Sequence, residues 1–357
     1  MPVHGSGNGR PSSHSRILLF GETFSMKHGI FVPGAFIVAL VTCPVILKAE
    51  EFRLQPPLVC EIGEDCWIVR YVDLDPGPGV MDYACGDETG DGHKGTDFAI
   101  PHLAAMAAGW EVHASASGKV KAVRDGMEDR NVMEIDREAI ATRECGNGVV
   151  IEHEGGFETQ YCHLRQGSVA VSPGDEVESG AVIGLVGLSG ETSFPHVHVS
   201  VRYNDAIIDP FRGLIEESSC EVSGSGLWDE TAAASMAYQP IILRNAGFAT
   251  GALKEDDIDA GMLDHPPSSV NIPALVFAFD GFYLKKGDIL EAAIKGPGGW
   301  THDQREVVEA PKASFMRFSG RKAPDGGFPP GTYTARLEVS RTGMGMIARI
   351  ERVVKLQ

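Results

Sequence analysis

The chain has 357 residues, 43% hydrophobic and 22% charged, which is enough to build about two folded domains. Acidic residues outnumber basic ones by 49 to 31, so the formal net charge is −18. Nucleic acids and anionic membrane surfaces both attract basic proteins, and this charge therefore argues against either as a partner. The 43 glycines indicate a turn-rich, mostly β chain.

The N-terminal extension, residues 1–49, is predicted to contain an export signal. Residues 1–25 are polar, and after Met26 a short basic start leads into an apolar run that ends near Ala49. This order is typical of a cleaved signal peptide. An uncleaved anchor is the alternative, because the run is nearly long enough to span a bilayer, although Pro33 interrupts it. We expect an exported, periplasmic or extracellular protein with no stable membrane anchor after cleavage.

Export would place the cysteines in an oxidising compartment. Cys43 leaves with the signal, and six cysteines remain: Cys60, Cys66, Cys85, Cys145, Cys162 and Cys220. An even number in a secreted chain indicates a disulfide framework, and six cysteines allow 15 pairings. Only the pair Cys60–Cys66 is favoured by its short spacing. No CxxC pair is present, so a cysteine zinc knuckle is not predicted.

The next two segments are a lead-in and a first β domain. Residues 50–83 form the lead-in, which contains Cys60 and Cys66 and ends in a turn cluster rich in proline and glycine. Over residues 84–213, short β-like runs alternate with glycine turns, which predicts a β domain. Two segments interrupt this pattern, an alanine-rich stretch at 102–109 that favours a short helix and a charged insertion at 127–144.

The remainder of the chain is predicted to form a second, smaller β domain. Residues 214–240 have the composition of a connector with a short helix. Residues 241–357 contain short alternating strands separated by turn clusters, which is typical of a small β-sandwich. The predicted fold is therefore mostly β, with two β domains in sequence.

Two short motifs in the first β domain carry residues that bind metals. In the segment His196-Val197-His198, residues two apart on a strand face the same side, so both imidazoles can enter one site. His93 and Asp97 flank a short turn that lets an imidazole and a carboxylate converge. A catalytic zinc site needs three protein ligands and a water, so these four residues could supply the ligands and leave one histidine over. His163, at the end of a predicted strand, is a further histidine without an assigned ligand role.

These motifs resemble the lysostaphin/β-lytic family of zinc endopeptidases, which act on bacterial cell walls. The resemblance covers roughly residues 84–213 and rests on an HxxxD motif, a segment like YxHL, then SG followed by PHxH. It implies a compact antiparallel β-groove domain that hydrolyses peptide bonds in peptidoglycan. The 102–109 and 127–144 segments depart from the simplest family pattern, as does Cys162 beside His163.

The resemblance also assigns roles to five residues. It implies that His93, Asp97 and His198 bind one Zn²⁺ per chain, and that His163 and His196 act as catalytic residues beside the activated water. No HExxH, GxSxG or P-loop motif is present, so the sequence does not predict a helical glutamate base, a serine nucleophile or a nucleotide site. Cys162 as a nucleophile is a further alternative.

Two functions are compatible with these motifs. The first is a zinc-dependent endopeptidase whose partners are peptidoglycan peptides. The second is a catalytically silent cell-wall-binding or amidase-regulating protein of the same fold. Relatives that regulate amidases typically lack some of the ligands, whereas this chain keeps all of them, which favours the enzyme.

Overall fold

The computed structural model describes residues 51–215 and 226–357. The predicted export signal, with Cys43, lies outside the described residues, as do Cys220 and the middle of the predicted connector. Among the helices that the structure describes, none is long and apolar enough to cross a membrane. Residues 50–357 belong to one compact unit.

Ten strands form the N-terminal part of this unit: β1 (Trp67–Arg70), β2 (Thr96–Ala99), β3 (Glu111–His113), β4 (Gly118–Arg124), β5 (Asn147–Glu152), β6 (Phe157–Leu164), β7 (Glu176–Val177), β8 (Val182–Leu185), β9 (His196–Tyr203) and β10 (Ala206–Ile208). Eight of them make one antiparallel sheet in the order β1-β2-β9-β6-β5-β4-β7, with β10 paired to β9. Strands β3 and β8 form a small second sheet. The prediction of a mostly β, antiparallel fold is confirmed.

The segments predicted to interrupt this domain are short helical turns. Helix α1 (Leu103–Ala108) begins at His102, whose Nδ1 accepts a hydrogen bond from the Ala105 amide at 3.1 Å. This contact caps one of the amides that a helix leaves unpaired at its start. The charged insertion folds into two 3₁₀ turns, Val132–Glu134 and Arg137–Ile140, which run along the loop that precedes β9.

After helix α2 (Glu230–Ser235), the C-terminal part contains seven strands and one more helix: β11 (Ile242–Ala249), α3 (Glu255–Asp259), β12 (Ala274–Leu284), β13 (Ile289–Lys295), β14 (Thr301–Val307), β15 (Lys312–Lys322), β16 (Gly331–Arg341) and β17 (Gly345–Leu356). They form a three-stranded sheet, β11-β12-β15, and a four-stranded sheet, β14-β13-β16-β17. Side chains of both sheets share one core, and this packing confirms the predicted β-sandwich-like fold.

Alternation explains why these strands bury one face. In β16, the side chains of Tyr333, Ala335, Leu337 and Val339 are completely buried, while the residues between them are partly exposed. A period of two is what a strand with one face against a core requires. The same pattern in β9 decides the placement of the histidines described below.

The β-sandwich packs directly against the first sheet. Trp67, Val69 and Ala99 of β1 and β2 share a buried cluster with Ile242 and Tyr283 of the sandwich. The Tyr283 hydroxyl donates a hydrogen bond to the Val69 carbonyl at 2.6 Å. A buried tyrosine hydroxyl needs such a partner, so this contact joins the two β structures through a specific polar interaction.

Two disulfides join cysteines that are both among the described residues. Cys60–Cys66 closes the predicted short loop, so this pairing is confirmed. Cys145–Cys162 was not anticipated by the sequence. It engages the sulfur of Cys162 and thereby excludes this residue as a free thiol nucleophile in the disulfide-bonded protein.

Candidate active site

Five side chains singled out in the sequence meet on three adjacent strands. His93 lies in the turn before β2, Asp97 lies on β2, His196 and His198 lie on β9, and His163 lies near the end of β6. Cross-strand pairing places Asp97 directly opposite His198. The roles of these residues remain predictions, but the structure brings all five together.

Strand alternation separates the β9 histidines from the core. Val197, Val199 and Val201 are at most 1% exposed and belong to the main hydrophobic core. His196 and His198 project from the opposite face because side chains alternate along a strand. Both imidazoles therefore lie on the same face of β9, as their spacing in the sequence predicted.

Three donor atoms form a tight cluster. The Nε2 atom of His93 lies 3.1 Å from Nδ1 of His198 and 3.2 Å from Oδ1 of Asp97. The same Asp97 oxygen lies 2.8 Å from Nδ1 of His198. Asp97 is buried, and both imidazoles are partly buried. One carboxylate oxygen and two ring nitrogens thus face a common point.

The chemistry of this cluster fits a zinc ion. Zinc binds nitrogen and oxygen at about 2.0–2.2 Å in a tetrahedron, so its ligand atoms are roughly 3.3 Å apart. The distances in the His93, Asp97 and His198 cluster are close to this value. Three protein ligands also leave a fourth position for water or substrate, as catalytic sites require. A second group of potential ligands, which includes Cys60 and Cys66, has both sulfurs in a disulfide.

Backbone carbonyls orient three of the histidines. The Nδ1–H group of His93 donates a hydrogen bond to the Tyr71 carbonyl at 2.7 Å. In the same way, Nδ1–H of His163 donates to the Ser189 carbonyl at 2.8 Å, and Nδ1–H of His196 donates to the Phe194 carbonyl at 3.0 Å. A carbonyl only accepts hydrogen bonds, so each neutral ring carries its proton on Nδ1. Each Nε2 is then left with its lone pair, ready to bind a metal or a proton.

His198 differs from the other three histidines, because its Nδ1 rather than its Nε2 faces the cluster. Its Nδ1 faces Asp97 and His93, whereas its Nε2 lies 3.0 Å from the Ser200 hydroxyl. The hydroxyl can accept the Nε2 proton, which leaves the Nδ1 lone pair for a metal.

His163 reaches the site through an unusual backbone conformation. Cys162 pairs with His198 across β6 and β9, so Cys162 lies on the face of the histidines and the next residue should face the core. His163 has φ of +63°, in the left-handed region, and its ring centroid lies 4.7 Å from that of His196. A left-handed residue next to a register shift re-aims a side chain in this way.

Burial and charge set the protonation states. Burial would raise the pKa of Asp97, but the neighbouring His93 and His196 imidazoles hold it well below its usual range. The carboxylate is therefore charged, as a metal ligand must be. Burial lowers the pKa of His163 well below its usual value, and His196 and His198 lower it further. His163 is thus neutral and able to accept a proton.

Several residues that shape the site carried no recognisable signal in the sequence. Tyr71, Ser189 and Phe194 contribute backbone carbonyls, which every residue type possesses. The Phe194 ring also stacks on His196, with centroids 4.7 Å apart, and contacts Phe282 of the sandwich at 5.5 Å. The SG motif, Ser189-Gly190, contributed to the family resemblance, but its contact with His163 is visible only in the fold.

Comparison with protein families agrees with this geometry. Residues 91–210, which contain all five side chains, match the model of peptidase family M23. This segment is therefore similar to the M23 peptidase domain and is called the M23 domain below. The resemblance to the lysostaphin-type family is confirmed, and the match leaves out the lead-in and the β-sandwich.

Curated relatives align with the M23 domain. The DD-carboxypeptidase/endopeptidase Mpg of Neisseria meningitidis is 33% identical over 120 residues, which make up 33% of this chain and 22% of that protein. The peptidoglycan DD-endopeptidase ShyB of Vibrio cholerae is 32% identical over 120 residues, covering 34% of this chain and 22% of that protein. The chain therefore spans about a fifth of the length of these relatives.

Among solved structures, a zinc-containing peptidase from Vibrio cholerae matches 40% of this chain and 39% of its own at 26% identity. The TM-score of this match is 0.26.

Proposed function

We propose that this protein is a zinc-dependent endopeptidase that hydrolyses peptide bonds of bacterial peptidoglycan, in the periplasm or outside the cell. The observation that carries the proposal is the convergence of His93, Asp97 and His198 on one point, with His163 and His196 beside it. The names of the relatives, a peptidoglycan DD-endopeptidase and a DD-carboxypeptidase/endopeptidase, support the substrate class.

The residues divide into ligands and proton carriers. His93, Asp97 and His198 would hold the ion through Nε2, Oδ1 and Nδ1. Zinc, when bound, lowers the pKa of a water to about 7 and polarises a carbonyl group. His163 and His196 present Nε2 lone pairs beside the ligands, so one can take the proton of the attacking water. The other, once protonated, can donate to the developing oxyanion or to the leaving amine.

The test has two measurements on the full chain. Elemental analysis should find one zinc per chain, and His198→Ala should lose it. Purified peptidoglycan should release peptides with the wild type, whereas His163→Ala should keep zinc and lose hydrolysis by about a hundredfold or more. His265→Ala, which changes an exposed histidine in the sandwich part, is the matched control and should retain both properties.

Either of two results would reject the proposal. Folded wild-type protein without zinc would remove the basis of the chemistry. A zinc-loaded protein that binds peptidoglycan without cleaving it would favour the catalytically silent, wall-binding role.

A further inference from the structure

A basic side chain lies directly beside the ligand cluster. In the antiparallel pairing of β1 and β2, Arg70 is opposite Asp97. Residues paired in this way project from the same face of the sheet, with Cβ atoms about 4.5–5.5 Å apart. Trp67 and Ala99, the other pair on this face, share one buried cluster with Val69 and Phe194. The register shifts between Ile68 and Arg70, and such a bulge interrupts the regular alternation of side chains, so Arg70 follows its partner Asp97 rather than alternating from Val69. Arg70 therefore stands on the face that carries the histidines.

The β-sandwich supports this position from outside the M23 domain. Tyr283 of β12 is 7% exposed and donates to the carbonyl of Val69, the residue before Arg70. Burial raises the pKa of the Tyr283 hydroxyl, and the nearby positive charge of Arg70 opposes that effect. The neighbouring residue of β12, Phe282, contacts Phe194, whose ring stacks on His196. The end of β12 thus forms one wall next to the site.

Arg70 has the properties of a ligand-binding group. Its side chain is exposed, and no carboxylate among the residues in 51–215 and 226–357 forms an ion pair with it. Its pairing with Asp97 across β1 and β2 places its charge beside the ligand cluster. A guanidinium group binds carboxylates through two parallel hydrogen bonds, and peptidoglycan stem peptides carry several carboxylates.

We propose that Arg70 binds a carboxylate of the peptide substrate next to the scissile bond, and so selects acidic stem peptides over amidated ones. This inference rests on the proposed endopeptidase function. It also gives a role to the β-sandwich, which holds β1 at Val69. It further offers a local attraction for an anionic substrate in a chain whose net charge is −18.

The experiment compares three synthetic stem peptides with the zinc-loaded full chain. One peptide has all carboxylates free, one has its C-terminal carboxylate amidated, and one has its side-chain carboxylates amidated. In the wild type, kcat/KM should be about ten- to a hundredfold higher for the free peptide than for one of the amidated peptides. The amidated peptide with the lower kcat/KM identifies whether the bound carboxylate is the terminal one or one on a side chain.

The variants separate recognition from structure. Arg70→Gln should lower kcat/KM for the free peptide to the value for the amidated peptide that the wild type cleaves more slowly, mainly by raising KM. The kcat/KM values for both amidated peptides and the zinc content should stay unchanged. Arg70→Lys should restore part of the preference. Arg305→Gln, a change to an exposed arginine of β14, should have no effect. A wild type without preference, or an Arg70→Gln variant that slows all peptides equally, would overturn the inference.

A binding measurement keeps this inference distinct from the proposed function. Calorimetry with the same peptides and the His163→Ala protein, with and without Arg70→Gln, repeats the comparison without turnover. If no peptide is cleaved by the wild type, the endopeptidase proposal fails. A carboxylate preference in binding that Arg70→Gln removes would still support Arg70, and equal affinities would reject it.

Discussion

His163 faces His196 across adjacent strands, with ring centroids 4.7 Å apart, although regular alternation would direct His163 into the core. The left-handed backbone at His163 makes this contact, and its amide donates to the Cys145 carbonyl at 2.8 Å. Since Cys145 is also bonded to Cys162, the residue before His163, a disulfide and a hydrogen bond together hold the turn. Non-glycine residues in this conformation persist only where surrounding contacts support them.

The disulfide Cys145–Cys162 should therefore affect catalysis as well as stability. Replacing both cysteines with alanine should lower kcat about ten- to a hundredfold, because a small displacement of a catalytic group costs this much. Zinc content should be retained, since none of the three ligands lies on this turn. Peptidoglycan hydrolysis and elemental analysis are the measurements.

The Cys60–Cys66 pair supplies the control for that experiment. Alanine at both positions should reduce the free energy of unfolding, by at most about 3 kcal/mol, with kcat unchanged. If the two double variants had the same kcat, the proposed role of Cys145–Cys162 in orienting His163 would be wrong.

Gly95 should be required for metal binding. A Cβ atom at this position would lie 2.5 Å from Nε2 of His198 and 2.6 Å from the Val199 carbonyl oxygen. Gly95→Ala should push the His198 ring away and weaken zinc affinity about ten- to a hundredfold. The measurement is competition with a chelator. Gly90→Ala, where a Cβ meets no atom within 4 Å, should leave zinc affinity unchanged.

Gly190 should be required for the loop that orients His163. Its φ is +85°, and a Cβ there would lie 2.2 Å from the Glu144 carbonyl oxygen. Gly190→Ala should lower the free energy of unfolding by about 1–2 kcal/mol for the left-handed backbone and by about 1–3 kcal/mol more for the clash. It should also lower kcat, because the backbone carbonyl of the neighbouring Ser189 accepts the hydrogen bond from Nδ1–H of His163.

A Gly126→Ala variant, measured by urea denaturation, separates the cost of the left-handed backbone from the cost of the steric clash. The φ of Gly126 is +97°, but a Cβ there meets no atom within 4 Å. Gly126→Ala should therefore show the backbone cost alone and keep full activity. Equal losses for the two alanine variants would contradict the predicted clash at Gly190.

Buried Glu88 should make stability fall as the pH rises. Burial raises the pKa of its carboxyl to about 8, with a contribution from Asp82, whereas an ordinary glutamate has a pKa of 4.5. Between these values the folded state keeps a proton that the unfolded state has lost, so the free energy of unfolding decreases with pH. The contribution of Glu88 to this slope should approach about 1.4 kcal/mol per pH unit, because the folded state binds about one proton more than the unfolded state.

Urea denaturation from pH 5 to about 8, with a chelator present so that metal binding does not contribute, measures this slope. Glu88→Gln should flatten the profile, since the amide does not titrate. Glu309→Gln, at an exposed position in the sandwich, should leave it unchanged. A Glu88→Gln profile parallel to that of the wild type would show that the carboxyl is ionised in the folded protein.

The features that depend on local spacing could be predicted from the sequence. Alternating apolar residues and glycine turns predicted the mostly β fold, and the two-residue interval between His196 and His198 placed both on one face. The turn between His93 and Asp97 was correctly expected to bring these residues together. Each of these inferences needs only the period of a strand or the length of a turn, which the chain carries locally.

The orientation of the histidines and the identity of the groups around them depend on the tertiary fold. The left-handed backbone at His163 depends on contacts with Cys145 and Ser189, 18 and 26 residues away in the chain. Phe282 and Tyr283 form a wall next to the site through long-range contacts, and the hydrogen bond from Tyr283 to Val69 joins residues 214 positions apart. Backbone carbonyls and long-range packing have no residue-type signature, because any sequence supplies a carbonyl and many side chains can pack. Their positions follow from the whole fold rather than from local spacing.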